Sequence, residues 1–102
     1  MRSKLLISGL VIALFSTASA RAQVLIDASK VTCDQFVHAK VGPPRLMAAW
    51  FSGFYNGKRE KLIIDTQNFE DNLSKVERFC YDEKNFNVLV MKAIEQVLGA
   101  SK

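Results

Sequence analysis

The sequence predicts an all-α fold: a small four-helix, single-domain bundle stapled by one disulfide. Three observations carry this reading. Apolar residues recur at helical spacing through most of the chain beyond residue 30. Residues that start and stop helices punctuate those runs. Only two cysteines, Cys33 and Cys80, occur among the 102 residues.

The bundle is preceded by a targeting segment. Met1-Arg2-Ser3-Lys4 is basic, Leu5 to Phe15 is an apolar run, and Ser16 to Ala22 supplies small residues with A-x-A sites ending at Ala20 and Ala22. Those zones in that order read as a secretory signal peptide. As a membrane anchor the run is too short, since a span takes about 20 apolar residues. Residues 1–22 are therefore expected to be removed after Ala20 or Ala22, leaving 23–102 as the domain. No cysteine lies near the cleavage region, which excludes a lipoprotein. Of the 14 basic residues, Arg2, Lys4 and Arg21 leave with the leader, so 11 face 10 acidic ones and the domain carries about +1 rather than +4. No basic stripe remains to suggest nucleic acid or an anionic membrane surface. The densest basic cluster, Lys58-Arg59-Glu60-Lys61, reads as a solvated loop.

An exported domain of 80 residues, the 102 less the leader's 22, has a core that benefits from a covalent staple. Two cysteines in such a chain are the arithmetic of a structural bridge. Closing the loop between them is worth about 4 kcal/mol in the chain-entropy model. A metal pair lacks partner ligands, and a redox pair uses C-x-x-C spacing.

The helices follow in order. Thr32-Cys33-Asp34-Gln35 is a capping box, with Val31 and Phe36 placed as a hydrophobic staple, predicting a helix from Cys33 to about Ala39. Gly42-Pro43-Pro44 ends it, and Pro44 suits the first position of a second helix. That helix is expected to reach Asn56, with Gly57 as a left-handed cap. Its apolar pairs Leu46/Met47, Trp50/Phe51 and Phe54/Tyr55 recur every fourth residue as one broad stripe, while Ala48, Ala49, Ser52 and Gly53 admit close approach on another side. A helix so patterned is strongly buried or meets a partner. Leu62-Ile63-Ile64 is β-prone, but with no partner strand in view it reads as an extended connection. A third helix, capped by Thr66 or Asn68, runs to about Tyr81 with Phe69, Leu73, Val76 and Phe79 on one face. Glu70 and Asp71 suit its first turn, and Asp71 is spaced to pair with Lys75. A fourth, from Asn85 to just before Gly99, carries Phe86, Leu89, Val90, Ala93, Ile94, Val97 and Leu98 as its stripe.

Chemistry is thinly represented. His38, the only histidine, stands at no metal-ligand spacing from Cys33 and reads as a solvated or capping residue. The chain holds no nucleophile elbow, zinc-protease motif, phosphate loop or C-x-x-C, so no enzyme, catalytic residue or metal site is expected. No cofactor is expected either. A haem held by Tyr55, His38 or a methionine is the sharper small-molecule alternative, against the plainer reading of the aromatic stripe as core or subunit interface.

Taken together, "VTCDQF" (31–36), "PPRLMAAWFSGFYNGK" (43–58) and "FEDNLSKVERFC" (69–80) resemble the HdeA/HdeB family of periplasmic acid-stress chaperones. The order is a T-C-x-x-F start, a P…W…G-(F/Y)-x-x-G middle and an N-x-x-K-V-x-x-(F/Y)-C helix, spanning residues 31 to about 97. The tryptophan places it nearer the HdeB-like branch. The resemblance implies a disulfide-bridged helical protein of the Gram-negative periplasm, with Cys33 and Cys80 as its bridge. It also implies a homodimer near neutral pH that opens or dissociates in acid. Unfolding periplasmic proteins then bind its apolar surface without ATP. Met47, Trp50, Phe51, Phe54 and Tyr55 lie in the helix that supplies core, subunit contact or client surface in that family.

Charge arithmetic runs the same way. In strong acid the 10 carboxylates lose their charge and His38 gains one, so the domain moves from about +1 to about +12. Self-repulsion of that size loosens compact and associated states. The terminal segments 23–30 and 99–102 are short and lightly charged beside the charged tails of family members acting in extreme acid. The alternative is a non-chaperone periplasmic interaction module on the same fold, recognising one partner at neutral pH.

Overall fold

A computed structural model describes residues 24–99, so the leader read at 1–22 lies outside the described residues. The architecture is all-α, and the described residues hold no strand, only an isolated antiparallel bridge between Thr32 and Leu89. Helix α1 spans Cys33–Val37, α2 Pro44–Lys58, α3 Thr66–Cys80 and α4 Val90–Leu98. Short 3-10 turns at Ala28–Lys30 and Glu83–Asn85 precede α1 and α4.

The start of α1 follows the sequence closely. Gln35 N–H donates to the Thr32 hydroxyl at 3.2 Å while Gln35 Oε1 accepts from Thr32 N–H at 3.0 Å, completing the box. The next orphan donors of this helix end are met from outside. Cys33 N–H reaches Val88 O at 2.7 Å, and Asp34 N–H reaches Phe86 O at 3.1 Å. With Val90 N–H on Val31 O at 2.9 Å, the loop before α4 is laced to the loop before α1. This explains a correction. The fourth helix was expected from Asn85, but it begins at Val90 because the carbonyls of Phe86 and Val88 cap α1 instead of starting a helix. α1 also stops earlier than expected, at Val37, where His38 closes it and Ala39 turns left-handed at φ 56°.

The end of α2 differs in an instructive way. Gly57 sits inside the helix, and the left-handed residue is Glu60 at φ 55°. Lys61 N–H donates to Asn56 O at 2.9 Å and Glu60 N–H to Gly57 O at 3.0 Å, the bond pair of a Schellman closure. At α3 the cap is Asp65, whose carboxylate accepts from Asn68 N–H at 2.9 Å, not Thr66 or Asn68 as expected. Asp71 accepts from Gln67 at 3.0 Å in place of the expected Lys75, and Glu70 turns outward to Arg45 of α2.

The core lies where α1, α3 and α4 meet under one side of α2. Phe36 and Val37 come from α1, Phe51 and Tyr55 from α2, Leu73 and Val76 from α3, and Val90, Ala93 and Ile94 from α4. α3 and α4 share the most extensive packing. Val31 and Phe36 are both buried, as a staple requires. Cys33 and Cys80 are wholly buried and bridged, their Cα atoms 4.8 Å apart, joining the first turn of α1 to the last turn of α3. Leu62-Ile63-Ile64 is the irregular connection expected of it.

Candidate functional site

Helix α2 presents three faces with three different fates. Met47, Phe51 and Tyr55, spaced four apart, turn inward: Phe51 is 2% exposed and Tyr55 5%, with Met47 half-buried against them. One position round the helix, Leu46, Trp50 and Phe54 form a second row on the solvent side, 67%, 53% and 36% exposed. The predicted single stripe is thus two rows about 100° apart, because adjacent helical residues differ by that angle. The five residues singled out in sequence divide accordingly. Met47, Phe51 and Tyr55 face the core, while Trp50 and Phe54 face solvent.

The outer row is ordered. Trp50 and Phe54 stack nearly parallel, with centroids 5.5 Å apart and planes 7° from each other. Lys58 extends the ladder, its ammonium 5.1 Å from the Phe54 ring centre. Each exposed ring meets a buried neighbour edge-on, Trp50 against Phe51 at 5.5 Å and Phe54 against Tyr55 at 5.2 Å. The two rows are therefore joined by edge-on ring contacts.

The third face carries Ala48, Ala49, Ser52 and Gly53. These small residues border a cavity of about 980 Å³ lying between α2, α3, the 61–65 connection and the end of α4. Its apolar side includes Phe51, Tyr55, Leu73, Val76 and Ile94. Nothing lies within 4 Å of where a Cβ on Gly53 would sit, so the close approach this face allows is not taken up within the described chain. α2 leans on the core by one row, with open space beside it.

What fastens α2 is limited. Arg45 at its start binds both carboxylate oxygens of Glu70, and its guanidinium lies 5.6 Å from the Phe69 ring. Tyr55 donates to Met91 O at 3.5 Å. Burial, aided by the nearby Glu95 carboxylate, holds the Tyr55 phenol above its usual value. The disulfide joins α1 to α3, while α2 lies within the loop it closes. Release of α2 would therefore leave a closed loop, not a free chain.

A second set of charges governs the turn leading into α2. Asp34 accepts from Lys40 Nζ and His38 Nδ1, each at 2.8 Å. Those two hydrogen bonds, the lysine's first, keep its carboxyl below the ordinary carboxylate range. His38 stands edge-on to Phe86 at 5.4 Å and to Tyr81 at 6.0 Å, the partly solvated capping role expected of it. Of the candidate haem ligands, Tyr55 borders the cavity and His38 does not. No group of three or more His, Cys, Asp or Glu residues able to hold a metal occurs among the described residues. The Asp34–His38–Lys40 cluster was missed in sequence, although Asp34 and His38 stand at the i, i+4 spacing that signals such a pair.

These features define a class: a small disulfide-stapled helical protein carrying an exposed aromatic ladder beside an open apolar cavity. The chain belongs to the HdeA/HdeB family, whose model matches residues 4–90. No curated protein and no solved structure gave a match. The family is one of periplasmic acid-stress chaperones and is not known for enzymes. Among the described residues no helix is long and apolar enough to cross a membrane.

Proposed function

We propose that this protein is an ATP-independent periplasmic chaperone that loosens in acid and binds unfolding proteins through helix α2. The observation that carries the reading is the division of α2 into an exposed ladder and a core-facing row that share their ring contacts. The ladder Leu46-Trp50-Phe54 offers apolar surface in the closed form. Movement of α2 away from the core would add Met47, Phe51, Tyr55 and the walls of the cavity.

Acid acts on ties at the start of α2, in the turn before it and in the 3-10 turn that precedes α1. Asp34 and Asp27 have carboxyls held below the ordinary value of about 3.9. A depressed folded value contributes stability that is complete above the unfolded value and lost as pH falls through the folded one. The contribution of both groups therefore fades below about pH 4. Neutralisation of Glu70 in strong acid also dissolves its pairing with Arg45. Charge on residues 23–102 rises toward about +12 at the same time, which favours opening and keeps an occupied complex in solution. The buried disulfide is unaffected by protonation and limits how far the chain opens. Export by cleavage after Ala20 or Ala22, and a homodimeric resting state at neutral pH, complete the proposal.

The test follows client aggregation by light scattering from pH 7 to pH 2, alongside Trp50 fluorescence and sedimentation. Suppression of aggregation confined to the pH range where the Trp50 signal shifts and sedimentation changes supports the reading. A protein that stays closed and leaves aggregation unchanged overturns it, in favour of an interaction module with a neutral-pH partner.

A further inference from the structure

Between α2 and α3 the chain displays three strongly exposed aliphatic side chains. Leu62, Ile63 and Ile64 are 86%, 92% and 83% exposed, although they adjoin a cavity that would shelter them. Among the described residues no backbone hydrogen bond joins any of these three residues to another. The ends of the segment are held. Lys61 N–H is tied to Asn56 O at 2.9 Å, and Asp65, extended at φ −100° and ψ 101°, caps α3. Neither Lys61 nor Asp65 has an ion-pair partner among the described residues. Three β-prone residues with unpaired backbone between two fixed ends leave free the N–H and C=O groups through which another chain can be recruited by strand pairing.

The order of residues says which chain. We propose that Lys61-Leu62-Ile63-Ile64-Asp65 pairs antiparallel with the same segment of a second copy, centred on Ile63, and that this is the contact of the neutral-pH homodimer. The inference rests on the dimer of the proposed function and names its surface. Antiparallel pairing about Ile63 sets Ile63 against the partner's Ile63, Leu62 against the partner's Ile64, and Lys61 against the partner's Asp65. Strand side chains alternate between faces. One face of the ribbon thus gathers Leu62 and Ile64 from both copies into an aliphatic cluster. The other places the two Ile63 side chains between two Lys61–Asp65 ion pairs. A slip that centres the pair on Ile64 sets Asp65 against the partner's Ile63 and Lys61 against the partner's Gln67, losing both ion pairs. One that centres it on Leu62 sets Lys61 against an isoleucine and Asp65 against the partner's Arg59, just past the end of α2. Only the register centred on Ile63 pairs both Lys61 and Asp65, so charge favours it alongside apolar matching. The contact is isologous, as a two-fold dimer requires.

Cysteine pairing at pH 7 tests the register, with the Cys33–Cys80 bridge kept intact. Directly opposed residues in an antiparallel pair have Cα atoms about 4.5–5.5 Å apart, inside the range a disulfide spans. Ile63→Cys should give a covalent dimer as the main product under mild oxidation. Leu62→Cys and Ile64→Cys should each crosslink poorly alone, being diagonal to their own copies, and well when mixed. Independently of any new thiol, Lys61→Glu faces the partner's Asp65 with a like charge and should weaken the sedimentation dimer at least tenfold. The proposal is overturned by a monomeric wild type at 100 μM concentration or above, on the order of weak dimers in the affinity scale. An Ile63→Cys variant that crosslinks no better than Leu62→Cys, or a Lys61→Glu dimer of undiminished affinity, overturns it equally. A dimer that persists without Ile63→Cys crosslinking uses another surface, and the chaperone reading then stands without this one. Loss of client protection with crosslinking intact defeats only the chaperone reading.

Discussion

Phe51 and Trp50 are chain neighbours with similar side chains, and truncating each should have unequal consequences. Phe51 is 2% exposed and packs in the core beneath α2, so Phe51→Ala removes a buried ring. Phe→Ala changes in cores cost about 3–5 kcal/mol. The site adjoins the cavity beside α2, which lets water and neighbouring side chains fill part of the gap. About 3 kcal/mol is therefore expected, at the lower end of that range. A domain of this length holds roughly 4–12 kcal/mol in all, so the variant should be close to unfolding. Trp50 is 53% exposed, and its stacking on Phe54 is open to water. Trp50→Ala should cost about 1 kcal/mol or less, as exposed aromatic contacts do. Urea unfolding at pH 7, followed by far-ultraviolet circular dichroism so that no signal depends on Trp50, measures both. Client protection in acid should fall for Trp50→Ala although its fold is kept. Equal stability losses for the two variants, at every protein concentration, would refute the division of α2 into a core row and a free row.

Further outcomes follow from the same geometry. Replacing both Cys33 and Cys80 by Ser should lower stability by about 4 kcal/mol, read as a fall in the urea midpoint under non-reducing conditions; an unchanged midpoint would show that the bridge constrains little. Asp34→Asn should be less stable than wild type at pH 7 and lose less on acidification below about pH 4, since a depressed carboxyl contributes above that range and not beneath it. Parallel pH profiles for the two proteins would show that Asp34 is not one of the acid-sensitive ties. Glu60→Gly should raise the melting temperature slightly, because a left-handed non-glycine residue costs about 1 kcal/mol; a destabilised variant would mean that the glutamate side chain has a role of its own. Arg45→Ala should cost about 0.2–1 kcal/mol, less at high salt, as expected of an exposed ion pair. A salt-independent loss would instead point to its stacking on Phe69.

Local signals were legible where local bonds decide the outcome. The Thr32–Gln35 box and the left-handed Gly99 close within a few residues, so sequence places those ends correctly. Where distant groups compete for the same backbone atoms, it does not. Nothing near Asn85 shows that the carbonyls of Phe86 and Val88 will be taken by the N-terminus of α1, and that loss delays α4 to Val90. Gly57 had the residue type of a cap, yet α2 continued to Lys58 and closed at Glu60, where Lys61 and Glu60 N–H groups found the last carbonyls. Asp65 outcompeted Thr66 and Asn68 as the cap of α3 because the helix began at Thr66, one residue after it.

The candidate site divides along the same line. Composition and periodicity alone determined an all-α, disulfide-bridged chain with an aromatic second helix, because helical spacing and a single cysteine pair are properties of the chain's own order. They did not determine which half of the aromatic stripe is core. Adjacent positions on a helix are equally apolar in sequence, and only the placement of α3 and α4 under one of them buries Phe51 while leaving Trp50 in water. The cavity beside Gly53 and the Arg45–Glu70 tie likewise exist only once distant elements are brought together. Burial and ion pairing depend on which surfaces meet, and that is settled by tertiary packing.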